Sequence, residues 1–247
     1  MSITWSVVAK RAIRLPMVDD IHFHGRPVRL VLFDLDGTLA DTAPDLAYAL
    51  NQTLLRHGRQ ALPFERIRPH VSHGGLALIR AGFGIEPEHP EFQRYRQDLL
   101  AIYQDNIVRQ TTLFPGMEQV LQQLERQGIG WGVVTNKPAW LTDPLMDGMG
   151  LTPRAACIVS GDTTPNSKPH PGPLLHACEL AGAAPQECLY IGDAERDIAA
   201  GRAAGTSTLA ALFGYLDEQD NPDSWGADDS IASPVEILEK IGLMPTR

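Results

Sequence analysis

The sequence predicts an α/β fold in which a parallel sheet, covered by helices on both faces, is interrupted by an all-helical insertion. Two observations lead to this prediction. From residue 114 onward, short apolar runs alternate with segments of helical periodicity, which is the pattern of a parallel sheet with right-handed crossovers. Residues 46–110 show helical patterns and no strand pattern, so we expect a helical module between the first strand and the rest of the sheet.

The first strand is predicted at the apolar run Leu30–Phe33, which has the length and continuous apolar character of a strand buried on both faces. The run ends in Asp34 and Asp36, and Gly37 permits a sharp turn directly afterwards. Ligands of open parallel sheets bind beyond the carboxyl ends of the strands. We therefore expect a functional site at this pair of carboxylates.

The remaining core elements follow from the alternation of apolar runs and amphipathic segments. The further strands are predicted at 129–134, 155–159, 189–191 and 208–212, and the helices between them at 117–126, 139–146, 173–180 and 195–204. The insertion is predicted to hold a helix that starts at Thr42 and Pro44 and ends at Gly58, with further helices at 63–68, 76–81 and 92–103.

These patterns divide the chain into three parts. Residues 1–28 form an N-terminal extension without clear periodicity, to which we assign no role. Residues 29–42 and 114–247 form the sheet-containing core, and residues 43–113 form the helical insertion.

Composition restricts the classes of partner. The formal net charge of −9 over 247 residues disfavours nucleic acid and anionic membranes, because both require a basic surface. Three cysteines, Cys157, Cys178 and Cys188, have neither the number nor the spacing of a disulfide framework or a zinc site, so we expect them to fill apolar space in a reducing compartment. No membrane span or signal peptide is legible, and we expect a cytoplasmic protein.

Polar residues follow each predicted core strand at its carboxyl end. Because parallel strands point the same way, we expect these residues to gather at one edge of the sheet. They are Asp34 and Asp36, then Thr135, Asn136 and Lys137, then Ser167, Lys168 and Pro169, and finally Gly192, Asp193 and Asp197.

In this order, the four groups resemble the four motifs of the haloacid dehalogenase superfamily of aspartate-nucleophile phosphotransferases, over residues 29–213. The resemblance implies a Rossmann-like core in which Asp34 attacks phosphorus to give an aspartyl-phosphate. Asp36 is similar to the family's general acid, which protonates the leaving oxygen and then activates water. Dehalogenase relatives generally lack this second carboxylate, so Asp36 favours phosphoryl chemistry.

A phosphoryl site needs hydroxyl and amide donors, a fixed ammonium and a divalent cation. Thr135 offers a hydroxyl, the backbone around Asn136 offers N–H groups, and Lys168 offers the ammonium. The resemblance implies Mg²⁺ as the cofactor, bound by Asp34, the backbone carbonyl of Asp36, and Asp193. Asp197 would bind this metal directly or through its waters.

The helical insertion resembles the cap of phosphoglycolate phosphatase-like members, which closes over small soluble phosphates. The loop residues expected to meet the leaving group are His70, Ser72, His73, Gly74 and Gly75, with Arg80 a further candidate. Residues 131–138 and the tail at 213–215, 221–222 and 225–228 look like N-acetylmuramic acid 6-phosphate phosphatases. The resemblance thus leaves two candidate substrates, 2-phosphoglycolate and the amino-sugar phosphate.

The leading prediction is a Mg²⁺-dependent phosphatase acting on a small phosphorylated metabolite, as a monomer or homodimer. A sugar phosphomutase could share the two aspartates and a helical cap. A non-enzymatic phospho-aspartate receiver also uses acidic residues, magnesium, a threonine and a lysine on a parallel sheet. Receivers, however, are about half this size and lack a helical insertion, and Asp36 would have no evident role there.

Overall fold

The computed structural model describes residues 21–243, so most of the predicted N-terminal extension lies outside the described residues. Within this range ten strands are assigned: β1 His22–Phe23, β2 Arg26–Pro27, β3 Leu30–Phe33, β4 Ala40–Asp41, β5 Thr112–Leu113, β6 Gly130–Val134, β7 Cys157–Val159, β8 Cys188–Gly192, β9 Ser207–Ala211 and β10 Asp229–Ile231. The same residues form nine α-helices: α1 Ala43–Arg56, α2 Phe64–Ile67, α3 Gly74–Phe83, α4 Phe92–Gln104, α5 Met117–Arg126, α6 Ala139–Gly148, α7 Gly172–Ala181, α8 Glu195–Ala204 and α9 Glu236–Lys240.

The core is a six-stranded sheet with the order β10-β9-β8-β3-β6-β7, and all its neighbouring strands are parallel. The predicted α/β fold with a parallel sheet is confirmed. From β3 the chain builds outward through β6 and β7, then crosses to the other side of β3 for β8, β9 and β10. The strand order therefore reverses next to β3, and such a switch point opens a crevice for ligands at the carboxyl end of the strand.

The sheet contains one strand more than the sequence predicted. The five predicted strands are present with slightly shifted ends, whereas β10 was missed. Its three residues include Asp229 and Ser230, so it has no apolar run, and it becomes a strand through parallel pairing with β9. Its neighbourhood in the fold, rather than its own composition, makes it a strand.

Residues 21–28 form a small antiparallel hairpin of β1 and β2. Ile21, Phe23 and Val28 are buried and join the main hydrophobic cluster of the core. The part of the predicted extension that the structure describes is thus packed against the core.

Both faces of the sheet are buried, as the apolar run in β3 predicted. Val31 and Phe33 belong to one hydrophobic cluster, and Leu30 and Leu32 belong to a second. This alternation follows from the two-residue repeat of a strand. Cysteines 157, 178 and 188 are free and buried in the second cluster, where the Sγ atoms of the last two lie 3.2 Å apart.

The insertion folds as four helices, α1 to α4, and the described residues between β4 and β5 contain no strand. The chain leaves the core through β4 and returns through β5, and these two segments pair in an antiparallel two-stranded sheet. No helix within residues 21–243 is both long and apolar enough to cross a bilayer.

A buried carboxylate, Asp45 on α1, fixes the point where the insertion returns to the core. Its oxygens accept hydrogen bonds from the backbone N–H groups of Gln110 and Thr111, at 2.9–3.0 Å, and from the Thr111 hydroxyl at 2.8 Å. Asp45→Ala should lower the free energy of unfolding by about 2–4 kcal/mol, because each buried donor left unpaired costs about 1–3 kcal/mol. Urea denaturation measures this loss.

The matched control is Asp105→Ala, which removes an exposed carboxylate directly after α4. We expect a change within about 0.5 kcal/mol for this surface variant. Equal midpoints for the two variants would contradict the structural role of Asp45.

Candidate active site

Asp34 stands where β3 ends, and its backbone N–H bonds to the carbonyl of Ile191 on β8 at 2.8 Å. The chain then turns at Gly37, whose φ of +93° is strained for any other residue type. A Cβ at Gly37 would overlap the carboxylate of Asp193. The sequence therefore folds into a turn that brings the end of β3 against the residue that follows β8.

Lys168 is the central cation of the site and is almost completely buried. Its Nζ lies 2.8 Å from Oδ1 of Asp34 and 2.8 Å from Oδ1 of Asp197. It also donates to the carbonyl of Val134 at 2.8 Å and to the hydroxyl of Tyr190 at 2.7 Å. These contacts hold the ammonium between two carboxylates at the carboxyl edge of the sheet.

Asn136 and Thr135 follow β6 and face the same edge. The Asn136 side chain clamps the backbone of Lys168, accepting from its N–H at 3.0 Å and donating to its carbonyl at 2.9 Å. Asn136 was predicted to bind substrate; the structure shows it positioning the lysine. The Thr135 hydroxyl oxygen accepts the N–H of Lys137 at 3.1 Å, and no group within residues 21–243 accepts its proton, which can therefore be donated to a ligand.

Three carboxylates form a compact buried cluster: oxygens of Asp34, Asp193 and Asp197 all lie within 4.8 Å of one another. Burial raises the pKa of Asp193 to about 7, and the charges of Asp34 and Asp197 act in the same direction. Burial also raises the pKa of Asp34, against the opposing effect of Lys168. Hard oxygen donors with excess negative charge suit a divalent cation such as Mg²⁺, so the residues present fit the implied metal.

The side chain of Asp36 lies outside this cluster. Its Oδ1 accepts hydrogen bonds from the Thr42 hydroxyl at 2.6 Å and from Nζ of Lys137 at 2.7 Å. Burial lowers the pKa of the Lys137 ammonium, but the adjacent Asp36 and Tyr103 outweigh burial and hold it above its usual value. The Asp36 carboxylate lines the cavity and is bound by these two groups. Only the backbone carbonyl of Asp36 is therefore left for the metal role that the resemblance predicted.

The loop before α3 closes over the carboxylate cluster. The Ser72 hydroxyl donates to Oδ2 of Asp193 at 2.7 Å, and Arg196 donates to the Ser72 carbonyl at 2.7 Å. Arg196 also contacts Nδ1 of His73 at 3.3 Å. A further link joins Arg68 to the carbonyl of Phe213 at 3.3 Å. The helical insertion thus contacts the very residues that could hold a metal.

Between the insertion and the core lies a cavity of about 340 Å³. The predicted site residues that line it are Asp34, Asp36, Thr135, Asn136 and Lys168 from the core, and Ser72, His73, Gly74 and Gly75 from the insertion. Asp193 and Asp197 are buried in the carboxylate cluster and do not line the cavity themselves. Two predicted residues of the insertion do not line it either. They are His70, which precedes the loop, and Arg80, whose guanidinium pairs with Glu86 on the surface at 2.6 Å.

The sequence family described as haloacid dehalogenase-like hydrolase matches residues 31–211, which include all four polar motifs. The chain belongs to the haloacid dehalogenase-like hydrolases. The resemblance that the four motifs predicted is thereby confirmed, together with the identification of the helical insertion as the cap that structural relatives in this family carry.

The named relatives of this haloacid dehalogenase-like hydrolase include proteins of two kinds. The N-acetylmuramic acid 6-phosphate phosphatase of Pseudomonas putida is 40% identical over 214 residues, covering 87% of this chain and 96% of the relative. The phosphoglycolate phosphatase of Xanthomonas campestris pv. campestris is 42% identical over 217 residues, covering 85% and 95%.

A solved structure described as a predicted phosphoglycolate phosphatase from Haemophilus somnus matches with a TM-score of 0.76 at 26% identity. The match covers 86% of this chain and 97% of that structure. The part of this chain that matches that structure therefore includes both the core and the cap.

Several polar residues of this hydrolase's site had no role assigned from the sequence, among them Lys137, Arg196 and Tyr190. Lys137 is one of the polar residues that follow β6, and Arg196 lies between Asp193 and Asp197, so their positions were a signal. Their partners, however, lie 101 and 124 residues away in the chain. Tyr190 lies within the apolar run of β8, and nothing in the sequence distinguishes its hydroxyl from a core filler.

Proposed function

We propose that the chain is a Mg²⁺-dependent phosphatase that hydrolyses a small-metabolite phosphate monoester through an aspartyl-phosphate on Asp34. The candidate substrates are 2-phosphoglycolate and N-acetylmuramic acid 6-phosphate, the esters named for its relatives. The observation that carries the proposal is the ion pair of Asp34 with Lys168 on the cavity floor, with the carboxylates of Asp193 and Asp197 clustered around Asp34.

Asp34 is oriented for nucleophilic attack. Lys168 bonds to its Oδ1, and no hydrogen bond within residues 21–243 occupies Oδ2, which is left for phosphorus. The ammonium also reduces the repulsion between the carboxylate and an incoming phosphoryl group. The Thr135 hydroxyl supplies a further donor for the phosphoryl oxygens. Mg²⁺, held by Asp34, Asp193 and Asp197 directly or through waters, would supply positive charge beside those oxygens.

Asp36 serves as the acid and base of the reaction. It lines the cavity two residues beyond the nucleophile, and its contacts with Thr42 and Lys137 fix its direction. In the first step it gives a proton to the leaving oxygen as the P–O bond breaks. In the second step it takes a proton from the water that attacks phosphorus and frees Asp34.

Phosphate release from the two candidate esters tests the proposal. We expect release from at least one of them in the presence of Mg²⁺, loss of release on adding a chelator, and recovery on restoring excess Mg²⁺. Analysis of the organic product separates hydrolysis from a phosphomutase, which would return an isomerised ester. Undiminished release in chelator, or an isomerised product, would contradict this function.

A metal site at the cluster also predicts a gain in stability that needs no substrate. At 100 times its dissociation constant, Mg²⁺ should stabilise the folded protein by about 2.7 kcal/mol. Thermal unfolding measures this gain, which Asp193→Asn should largely remove. Asp147→Asn, which changes an exposed carboxylate on α6, is the matched control and should keep it. Equal Mg²⁺ responses in the two variants would contradict a metal site at Asp193.

A further inference from the structure

One face of α4 in the cap points into the cavity. Arg96, Leu100 and Tyr103 all line it, and their spacing of four and then three residues places them on the same side of the helix. Arg96 packs near the first turn of α3: a Cβ at Gly75 would lie 3.8 Å from its Nε. Arg96 is thus an exposed residue of the cap wall, at the place where α4 meets the start of α3.

Arg96 differs from the other basic groups of the cavity in having no polar partner within the described part of the chain. Lys137 is bound to Asp36, Lys168 is bound to Asp34, and Arg196 is bound to the Ser72 carbonyl. Among residues 21–243, no hydrogen bond, ion pair or ring contact involves the Arg96 guanidinium. The exposed Arg96 side chain is thus a cation of the cavity wall that no group of residues 21–243 pairs.

The surroundings of Arg96 restrict which kind of ligand could neutralise its positive charge. The neighbouring wall is apolar, with Val71, Leu76, Leu100 and Tyr103. A volume of about 340 Å³ lies within the size range of pockets that bind ligands larger than a bare phosphate. A fitting ligand therefore has a phosphoryl group at the core floor, a carbon body against the apolar wall, and a second anion at Arg96.

We propose that Arg96 is a specificity-determining residue that binds a carboxylate of the substrate remote from its phosphoryl group. The planar guanidinium can pair with both oxygens of a carboxylate, which a lysine at the same place could not do. This inference rests on the proposed phosphatase function and narrows its substrates to phosphate monoesters that carry a carboxylate.

Two matched pairs of esters test the role of Arg96. N-acetylmuramic acid 6-phosphate differs from N-acetylglucosamine 6-phosphate by an ether-linked lactyl group with its carboxylate, and 2-phosphoglycolate is compared with ethyl phosphate. For at least one pair, the wild-type protein should prefer the carboxylate ester. Arg96→Gln should lower that preference, measured as the ratio of kcat/KM values, by about 10- to 100-fold, the range expected for loss of a charged hydrogen-bonded pair. Arg96→Lys should lower it less.

Arg94→Gln is the matched control, because Arg94 is on the same helix but pairs with Glu91 at the surface. It should leave the ratio unchanged. Equal losses on all four esters in Arg96→Gln would show that Arg96 holds the phosphoryl group or the fold, and would overturn the inference, as would an unchanged ratio. The proposed function fails separately, if the wild-type protein releases phosphate from none of the four esters.

Discussion

Replacing Asp34 by asparagine should reduce phosphate release by at least about 10³-fold, as expected when a catalytic nucleophile is removed. The amide has nearly the size of the carboxylate and can still accept a hydrogen bond from Lys168, but it cannot form the aspartyl-phosphate. Steady-state phosphate release at saturating substrate measures the loss. Mass spectrometry of acid-quenched wild-type protein should show a phosphoryl adduct on the peptide that contains Asp34.

Asp147→Asn, the exposed change on α6, should leave the rate within about twofold and serves as the matched control. Thermal unfolding of Asp34→Asn checks that its fold is kept, so that lost activity can be assigned to chemistry. A phosphoryl adduct on another residue, or wild-type rates in Asp34→Asn, would show that Asp34 is not the nucleophile.

Lys168→Met should lower the free energy of unfolding by about 3–5 kcal/mol, the cost of breaking a buried charge pair by removing one partner. The reason is that Asp34 and Asp197 would then share a buried site without the ammonium that lies 2.8 Å from each. Urea denaturation without Mg²⁺ measures the loss, since a bound divalent cation would compensate part of it. We also expect phosphate release to fall to background.

Lys240→Met is the control for this experiment. Lys240 also pairs with a carboxylate, Asp229, but both side chains are about one-third exposed. Water screens such a pair, and its loss should cost no more than about 1 kcal/mol. If the two lysine variants were equally stable, Lys168 would not be the charge that holds the buried carboxylates together.

The sequence was sufficient to predict which residues would meet at the carboxyl edge of the sheet. Asp34, Thr135, Lys168 and Asp193 each follow an apolar run, and these runs become parallel neighbours. Strand direction then places every carboxyl end on the same side, whatever the details of packing. The loop predicted at residues 70–75 was only partly right: His70 belongs to a 3-10 turn, and Gly74 and Gly75 already form the first turn of α3.

The sequence was less informative where a contact depends on the final path of distant loops. Lys137 and Asp36 are 101 residues apart, and Ser72 and Asp193 are 121 apart. No local pattern encodes such pairs. β10 was missed for the same reason, since its pairing with β9 and not its composition makes it a strand.

By itself the sequence determined the parallel core, the inserted helical cap and the four polar groups, because periodicity and strand direction are set by local order along the chain. The tertiary structure alone decided how the charges pair. Lys137 pairs with Asp36, Lys168 pairs with Asp34 and Asp197, and Arg96 lines the cavity. Which charge remains for a ligand depends on distances of a few ångströms between separate elements, and these exist only once the cap has packed on the core.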